Sequence, residues 1–444
     1  MMRLIAALTL VALVAVGPAI AGDPPRPNLE KPVDYIKWYN DEFGKGLREN
    51  AADLYREAVA DFEVDEETSD LLAAGADGTW TEEQVEPLRE LINEHEENLR
   101  KLAEGARLSD CHFHLESESG VAFEIELPEF RLLRALARLA ATRARFRFAE
   151  GRIDEGMDDV CAMLGLAEHL RQQPLVISYL FGLACSATAY DVLYDLPLVA
   201  TGLVDYEKQV LSKLNAVDRA PRSPTKQISG ERACAFDFAQ RFLRDMDSDG
   251  RIDYLAAPNI PGMSNQSVPV APPQRFDEII KEVDAMYTRI GKLYDGDYAV
   301  ARKRADTLER DLAAKKGTIV GILVPGLTEV MRLYYRVRTE RNACRVMFHL
   351  HAWHAEHGRW PETLAEALSK RVLRRFSDPF SDKPFGYRLQ DGKPVVYSVS
   401  LDGVDNDGDA GGKDKPDWHD APDYVFWPRP KPSTIPQPAS QPGE

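Results

Sequence analysis

Asp245, Asp247 and Asp249 alternate along DMDSDGRID and are followed by Gly250, Ile252 and Asp253. Calcium is a hard cation that takes about six to eight oxygens, and this spacing is the first three-quarters of an EF-hand-type loop. Asp245, Asp247 and Asp249 would supply monodentate carboxylates and Asp253 a direct or water-mediated ligand. Gly250 permits the sharp turn, and Ile252 anchors the loop to a core. Ala256 stands where a bidentate Glu is usual, and Pro258 and Pro261 oppose an exiting helix. The expectation is an incomplete calcium loop; an Asp/Gly-rich turn ending a helix is the alternative.

A second acidic loop holds Asp402, Asp405, Asp407, Asp409, Asp414, Asp417, Asp420 and Asp423, with only Lys413 and Lys415 to offset them. Carboxylates at that density repel one another unless water or a cation screens them. Two further clusters could bind a transition metal. Four of the nine histidines lie in HLHAWHAEH, where His351 and His354, and His354 and His357, are helical neighbours beside Glu356. Cys111, His112 and His114 form the other, without a second ligand pair at zinc-site spacing. Neither has the HExxH arrangement, and GxSxG, GxxxxGK[ST] and GxGxxG are all missing.

The chain that must position these groups has 444 residues, enough for two or three domains. It opens on Arg3, an apolar run over residues 4–16 and Ala19-Ile20-Ala21, the pattern of a secretory signal peptide over residues 1–21. Removing it takes away one cation and moves the net charge from −17 to about −18. Such a surface repels nucleic-acid phosphates and anionic lipid, so nucleic acid is not an expected partner. Five cysteines without a CxxC pair argue against a disulfide framework or zinc ribbon, and Cys161 and Cys185 read as buried apolar residues. No segment after the signal reads as a membrane span; the longest candidate, from residue 317, is short and holds Pro325.

The pattern from residue 33 to 108 is helical and acidic, with Thr81 and Gln84 forming a capping box. VAFEIELP, residues 121–128, alternates as an extended segment does. Residues 129–150 carry Leu132, Leu133, Leu136, Leu139 and Ala140 as a stripe, flanked by Arg134, Arg138, Arg145 and Arg147. Helices are expected at 153–170, 175–196, 230–244, 276–293 and 297–314, and a Pro/Gly/Ser-rich loop at 256–273. The turn AEGRIDEGMDDV is similar to a tetratricopeptide hairpin, but no 34-residue recurrence accompanies it. The result is an irregular array of helical hairpins, similar to a class of exported bacterial proteins, a resemblance that implies no activity.

A long helix is expected over residues 327–357, with Gly358 stopping it and Pro361 suiting the first turn of another. Asp391-Gly392 between FGYRL and PVVYSVS signals a hairpin, with Tyr397, Val399 and Leu401 on one face and Val396, Ser398 and Ser400 on the other. HGRWPETL, SDPFSDKPFGYR, VVYSVSLDG and the closing DYVFW, in that order, resemble the C-terminal globular part of the major pseudopilins of type II secretion. The resemblance covers about the last quarter of the chain; the processed polymerising helix of true pseudopilins is not beside it. It implies a structural Ca2+ bound by the Leu401 carbonyl and Asp402, with Asp405, Asp407 or Asp409 completing the shell.

The expected fold class is α+β, mainly α: a helical array, then a long helix on a small three-stranded antiparallel sheet. The expected divisions are a signal peptide at 1–21, the array at 22–270, connecting helices at 271–326, the pseudopilin-like module at 327–428 and a disordered Pro-rich tail at 429–444. The functional expectation is an exported, non-enzymatic scaffold that binds an unidentified protein partner and is stabilised by calcium. The alternatives are a component of a secretion or surface assembly, and a metal-dependent envelope hydrolase using the histidine cluster or an acidic cleft.

Overall fold

The computed structural model describes residues 22–200, 205–243, 251–255, 268–316, 318–324, 326–411, 418, 421–429 and 432–434. Residues 1–21, expected from sequence to be a signal peptide, lie outside them. The acidic first part forms α1 (Tyr35–Phe43), α2 (Ala51–Val59), α3 (Glu66–Asp77), α4 (Val85–Glu94) and α5 (Glu96–Arg107). Local capping sets their starts: the side chains of Asp34, Asn50 and Asp65 accept backbone N–H groups of the first turns of α1, α2 and α3. The Thr81–Gln84 capping box is present and opens a short 3-10 turn that runs into α4. VAFEIELP is not extended. Residues Ala122–Glu124 form a 3-10 turn, held because Ala122 N–H donates to Asp237 at 2.8 Å.

The centre of the array is α6 (Pro128–Ala149), α7 (Ile153–Leu170) and α8 (Val176–Val199), with their leucines, alanines and methionines buried together. Arg145, expected on a flank of α6, is instead only 4% exposed. It donates to the Ala76 carbonyl and pairs with Asp191 and Asp195 of α8. A buried guanidinium is tolerated because carboxylates and a carbonyl surround it. α8 also revises the reading of hydropathy: by length and composition it is apolar enough to cross a membrane, yet 61% of its most apolar window is buried inside the protein. It is packed as a core helix.

Next come α9 (Tyr206–Val217), α10 (Thr225–Phe242), β1 (Arg251–Leu255) and β2 (Val268–Arg275), then α11 (Phe276–Gly291), α12 (Tyr298–Ala314) and α13 (Ile319–Leu323). β1 and β2 pair antiparallel with a register shift between Ile252 and Tyr254. The end of the expected surface loop is therefore a strand, and the shift accommodates its prolines, which cannot donate to the ladder.

α14 (Thr328–His357) ends at Gly358 with φ +69°, the left-handed stop its sequence implies. The chain continues not from Pro361 but through two short helices, α15 (Leu364–Ala367) and α16 (Lys370–Arg375), to β3 (Gly386–Gln390), β4 (Lys393–Ser398) and β5 (Tyr424–Trp427). These strands form an antiparallel sheet in the order β3-β4-β5, so the fold is α+β and mainly α. Asp391 and Gly392 both have positive φ, 50° and 74°, as a tight hairpin requires. Both faces of β4 are buried. The Tyr397 ring lies under Gly408 of the acidic loop, and Ser398 on the opposite face donates to Asp378.

One buried cluster runs from Tyr35 to Trp427, across array and sheet alike. Tyr194 of α8 donates to the Glu340 carbonyl at 2.7 Å and stacks on Phe426 of β5. Arg429, in the expected tail, pairs with Asp191 at 2.6 Å, and Ser433 N–H donates to the Gly78 carbonyl at 2.8 Å. The first residues of that segment are thus fastened to the array.

Candidate functional site

Of the first calcium motif, Asp245, Asp247 and Asp249 lie outside the described residues, as does the Asp253 side chain. Ile252 is fully buried and lies in β1.

The second acidic loop is described through Gly411 and resumes around Asp423. The Leu401 carbonyl accepts from Tyr298 Oη at 3.1 Å and the Asp402 carbonyl from Arg302 at 2.7 Å, both from α12. Asp402 Oδ1 accepts from Val404 N–H, and Asp409 Oδ1 from Gly411 N–H, each closing a turn over its own backbone. Asp405 Oδ1 accepts from Tyr397 Oη and Asp407 N–H, both at 3.0 Å. Burial and the Asp405 carboxylate push the Tyr397 phenol up to about 12. Asp407 adopts φ +56°, and its carbonyl accepts from Arg388.

Asp423 organises the loop. It is 0% exposed, and its Oδ2 accepts from Asn406 N–H at 2.9 Å and Gly408 N–H at 2.8 Å. Its Oδ1 has no partner among the described residues. Burial, then the charges of Asp405 and Asp402, raise its pKa from the ordinary carboxylate value, against the lowering effect of the two N–H donors. The structure therefore brings Asp402, Asp405 and Asp423 into one electrostatic neighbourhood, while Asp409 caps the loop's own backbone. Asp423 was absent from the ligand set implied by sequence; its place before DYVFW, joining the acidic loop to the last strand, was the available signal. Among the described residues no three His, Cys, Asp or Glu side chains converge as a metal site. A hard cation here would draw on carbonyl oxygens as well as carboxylates. The orphaned, buried oxygen of Asp423 among like charges fits such an ion.

The histidine cluster is arranged differently from a metal site. The His351 ring sits edge-on between Trp360 and Trp427, His354 stacks on Trp360, and His357 stacks on Trp353. Glu356 pairs with Lys208 at 2.9 Å. Burial pushes the His351 imidazole down to about 4, so it is neutral at pH 7. At the other candidate, His112 is buried against Asn40 while His114 is exposed. All five cysteines are free, and burial raises their thiols, Cys161 to about 11 and Cys185 to about 12. Thiols so protonated are poor nucleophiles and poor metal ligands.

A cleft of about 670 Å³ lies where array and sheet meet, walled by Tyr190 and Tyr194 of α8, Glu340 of α14, Tyr424 and Phe426 of β5, and Arg429. Gly408 and Ala410 of the acidic loop also border it. Glu340 Oε1 accepts from Arg336 at 2.9 Å, whereas Glu340 Oε2 and one Arg429 guanidinium nitrogen are buried without partners among the described residues. The chain matches no protein-family model, no curated protein and no solved structure.

Proposed function

We propose that the chain is an exported, non-enzymatic helical scaffold that binds a protein partner and carries a calcium-stabilised, pseudopilin-like C-terminal module. The junction cleft is the observation that supports this reading. Its aromatic walls and few convergent polar groups have the character of a ligand site. Its orphaned donor, Arg429 Nη1, belongs to the guanidinium over the Tyr194 ring and its orphaned acceptor, Glu340 Oε2, to another residue lining the cleft, and the two suit the C=O and N–H of a partner's main chain. Calcium enters as a staple. An ion beside Asp423, Asp405 and Asp402 would hold the loop whose Gly408 and Ala410 form one wall of the cleft, and extracellular calcium at about 0.1–1 mM fills even weak loops.

The test is a photo-crosslinking residue placed at Gln390 or Thr188, which border the cleft, and at exposed Glu90 as a control. A discrete protein adduct from the cleft positions in the producing cell, reduced when calcium is chelated, is the expected result. No adduct there, or an equal one from Glu90, overturns the reading. An adduct made of a second copy of the chain would favour the assembly alternative instead.

A further inference from the structure

In a chain of net charge −17, cations gather around a hollow of about 390 Å³ far from the acidic loop in role. It lies between the end of α11, the 3-10 turn Lys292–Tyr294 and α12. Arg289, Lys292, Lys303 and Arg304 stand around it, and Val300 and Leu308 form its apolar floor. Two of the cations already have work. Arg304 donates to the Lys292 and Asp295 carbonyls at 2.7 and 2.6 Å, which screens the carbonyl end of α11, and Arg289 pairs with Asp311 at 2.6 Å.

The side-chain ammonium groups of Lys292 and Lys303 have no hydrogen-bonded or ion-paired partner among the described residues. Val300 is 39% exposed, among the most exposed large apolar side chains of the chain. The cations of the hollow are not there to serve the acidic loop, because α12 meets that loop through Tyr298 and Arg302 on another face.

Ammonium groups at the rim of an apolar floor select a ligand with an anionic head and an apolar tail. The volume is that of a small-molecule pocket rather than a protein interface. The net charge of the whole chain decides the source. A polyanionic membrane surface is repelled over a Debye length of about 10 Å, whereas a single monovalent anion feels mainly the two nearby lysines. We infer that this hollow binds a single-chain amphiphilic anion, its carboxylate or phosphate head held by Lys292 and Lys303 and the start of its tail laid on Val300 and Leu308.

The probe is decanoate below its micelle concentration, titrated calorimetrically into the full chain, with decanol as the uncharged counterpart. The expected result is saturable one-to-one binding that weakens roughly tenfold or more in Lys292→Glu/Lys303→Glu and falls with added salt. Both lysines are exposed, and a thermal melt checks that the variant is folded. Val300→Asp is an independent variant that blocks the floor and is expected to abolish binding. Absence of decanoate binding, equal binding of decanol, or undiminished binding by the charge-reversed variant overturns the inference. So does sedimentation with phosphatidylglycerol vesicles by a chain that ignores free decanoate.

Discussion

Asp378 accepts a hydrogen bond from Ser398 Oγ at 3.0 Å and joins the segment entering the sheet to its central strand. The same carboxylate accepts from Phe380 N–H at 3.0 Å and Val399 N–H at 3.2 Å. Burial outweighs these donors and raises its pKa from 3.8 to about 6. The folded state therefore holds the proton more tightly than the unfolded one. The contribution of this group to stability is full below about 3.8 and is lost as pH rises through about 6. Relative to Asp378→Asn, which does not titrate, the wild type should gain about 2 kcal/mol between pH 7 and pH 4, read from urea denaturation at each pH. A difference that stays flat with pH would show the carboxyl to be unshifted.

Asp218 carries a heavier structural role. Arg345 donates to it at 2.7 and 3.0 Å, Arg341 at 3.1 Å and Tyr190 at 2.8 Å, so one carboxylate ties α14 to α8 and to the end of α9. Both members of the Asp218–Arg345 pair are 1% exposed at the side chain. Removing one partner from such a pair leaves an uncompensated buried charge. Asp218→Ala should destabilise the chain by about 3–5 kcal/mol, measured by chemical denaturation. Glu97→Ala, which breaks an exposed ion pair with Arg100, should leave the denaturation midpoint nearly unchanged.

The features legible in the sequence were those with local causes. Gly358, the Asp391-Gly392 turn, the Thr81 capping box and the bounds of α7 each depend on residues within a few positions. The missed features depend on distant partners. The 3-10 turn at Ala122 is held by Asp237 of α10, and Arg145 is buried because α8 brings two aspartates to it. β2 was hidden by prolines that oppose strand pairing until a register shift accommodates them. Asp423 reads as one aspartate of eight until the fold sets it beneath the N–H groups of Asn406 and Gly408.

Gly386 permits a packing that its neighbours cannot. A Cβ there would stand 2.1 Å from Tyr397 Cζ, across the β3–β4 pair. Gly386→Ala should therefore push the Tyr397 ring aside, weaken its hydrogen bond to Asp405 and destabilise the sheet by about 1–3 kcal/mol. Removing the ring as well, in Gly386→Ala/Tyr397→Ala, should cost less than the sum of the two single changes. A double-mutant cycle in denaturant measures the difference, and strict additivity would mean that the two residues do not compete for the same space.

The orphaned oxygen of Asp423 gives opposite expectations with and without calcium. In a chelator, Asp423 is a buried carboxylate raised by burial and by the charges of Asp405 and Asp402. Removing charge there relieves repulsion, so Asp423→Asn should lower the melting temperature little or raise it. With calcium at a hundred times its dissociation constant, binding adds about 2.7 kcal/mol to the wild type, a rise of several degrees. Asp423→Asn and Asp405→Ala should lose that increment, while Asp409→Ala, whose carboxylate caps Gly411, should keep most of it. Thermal melts of the four proteins in EGTA and in 1 mM calcium decide the matter. A wild-type melt indifferent to calcium removes the staple and leaves the loop held by its own hydrogen bonds. An increment lost in Asp409→Ala but kept in Asp423→Asn moves the ion to the outer turn of the loop.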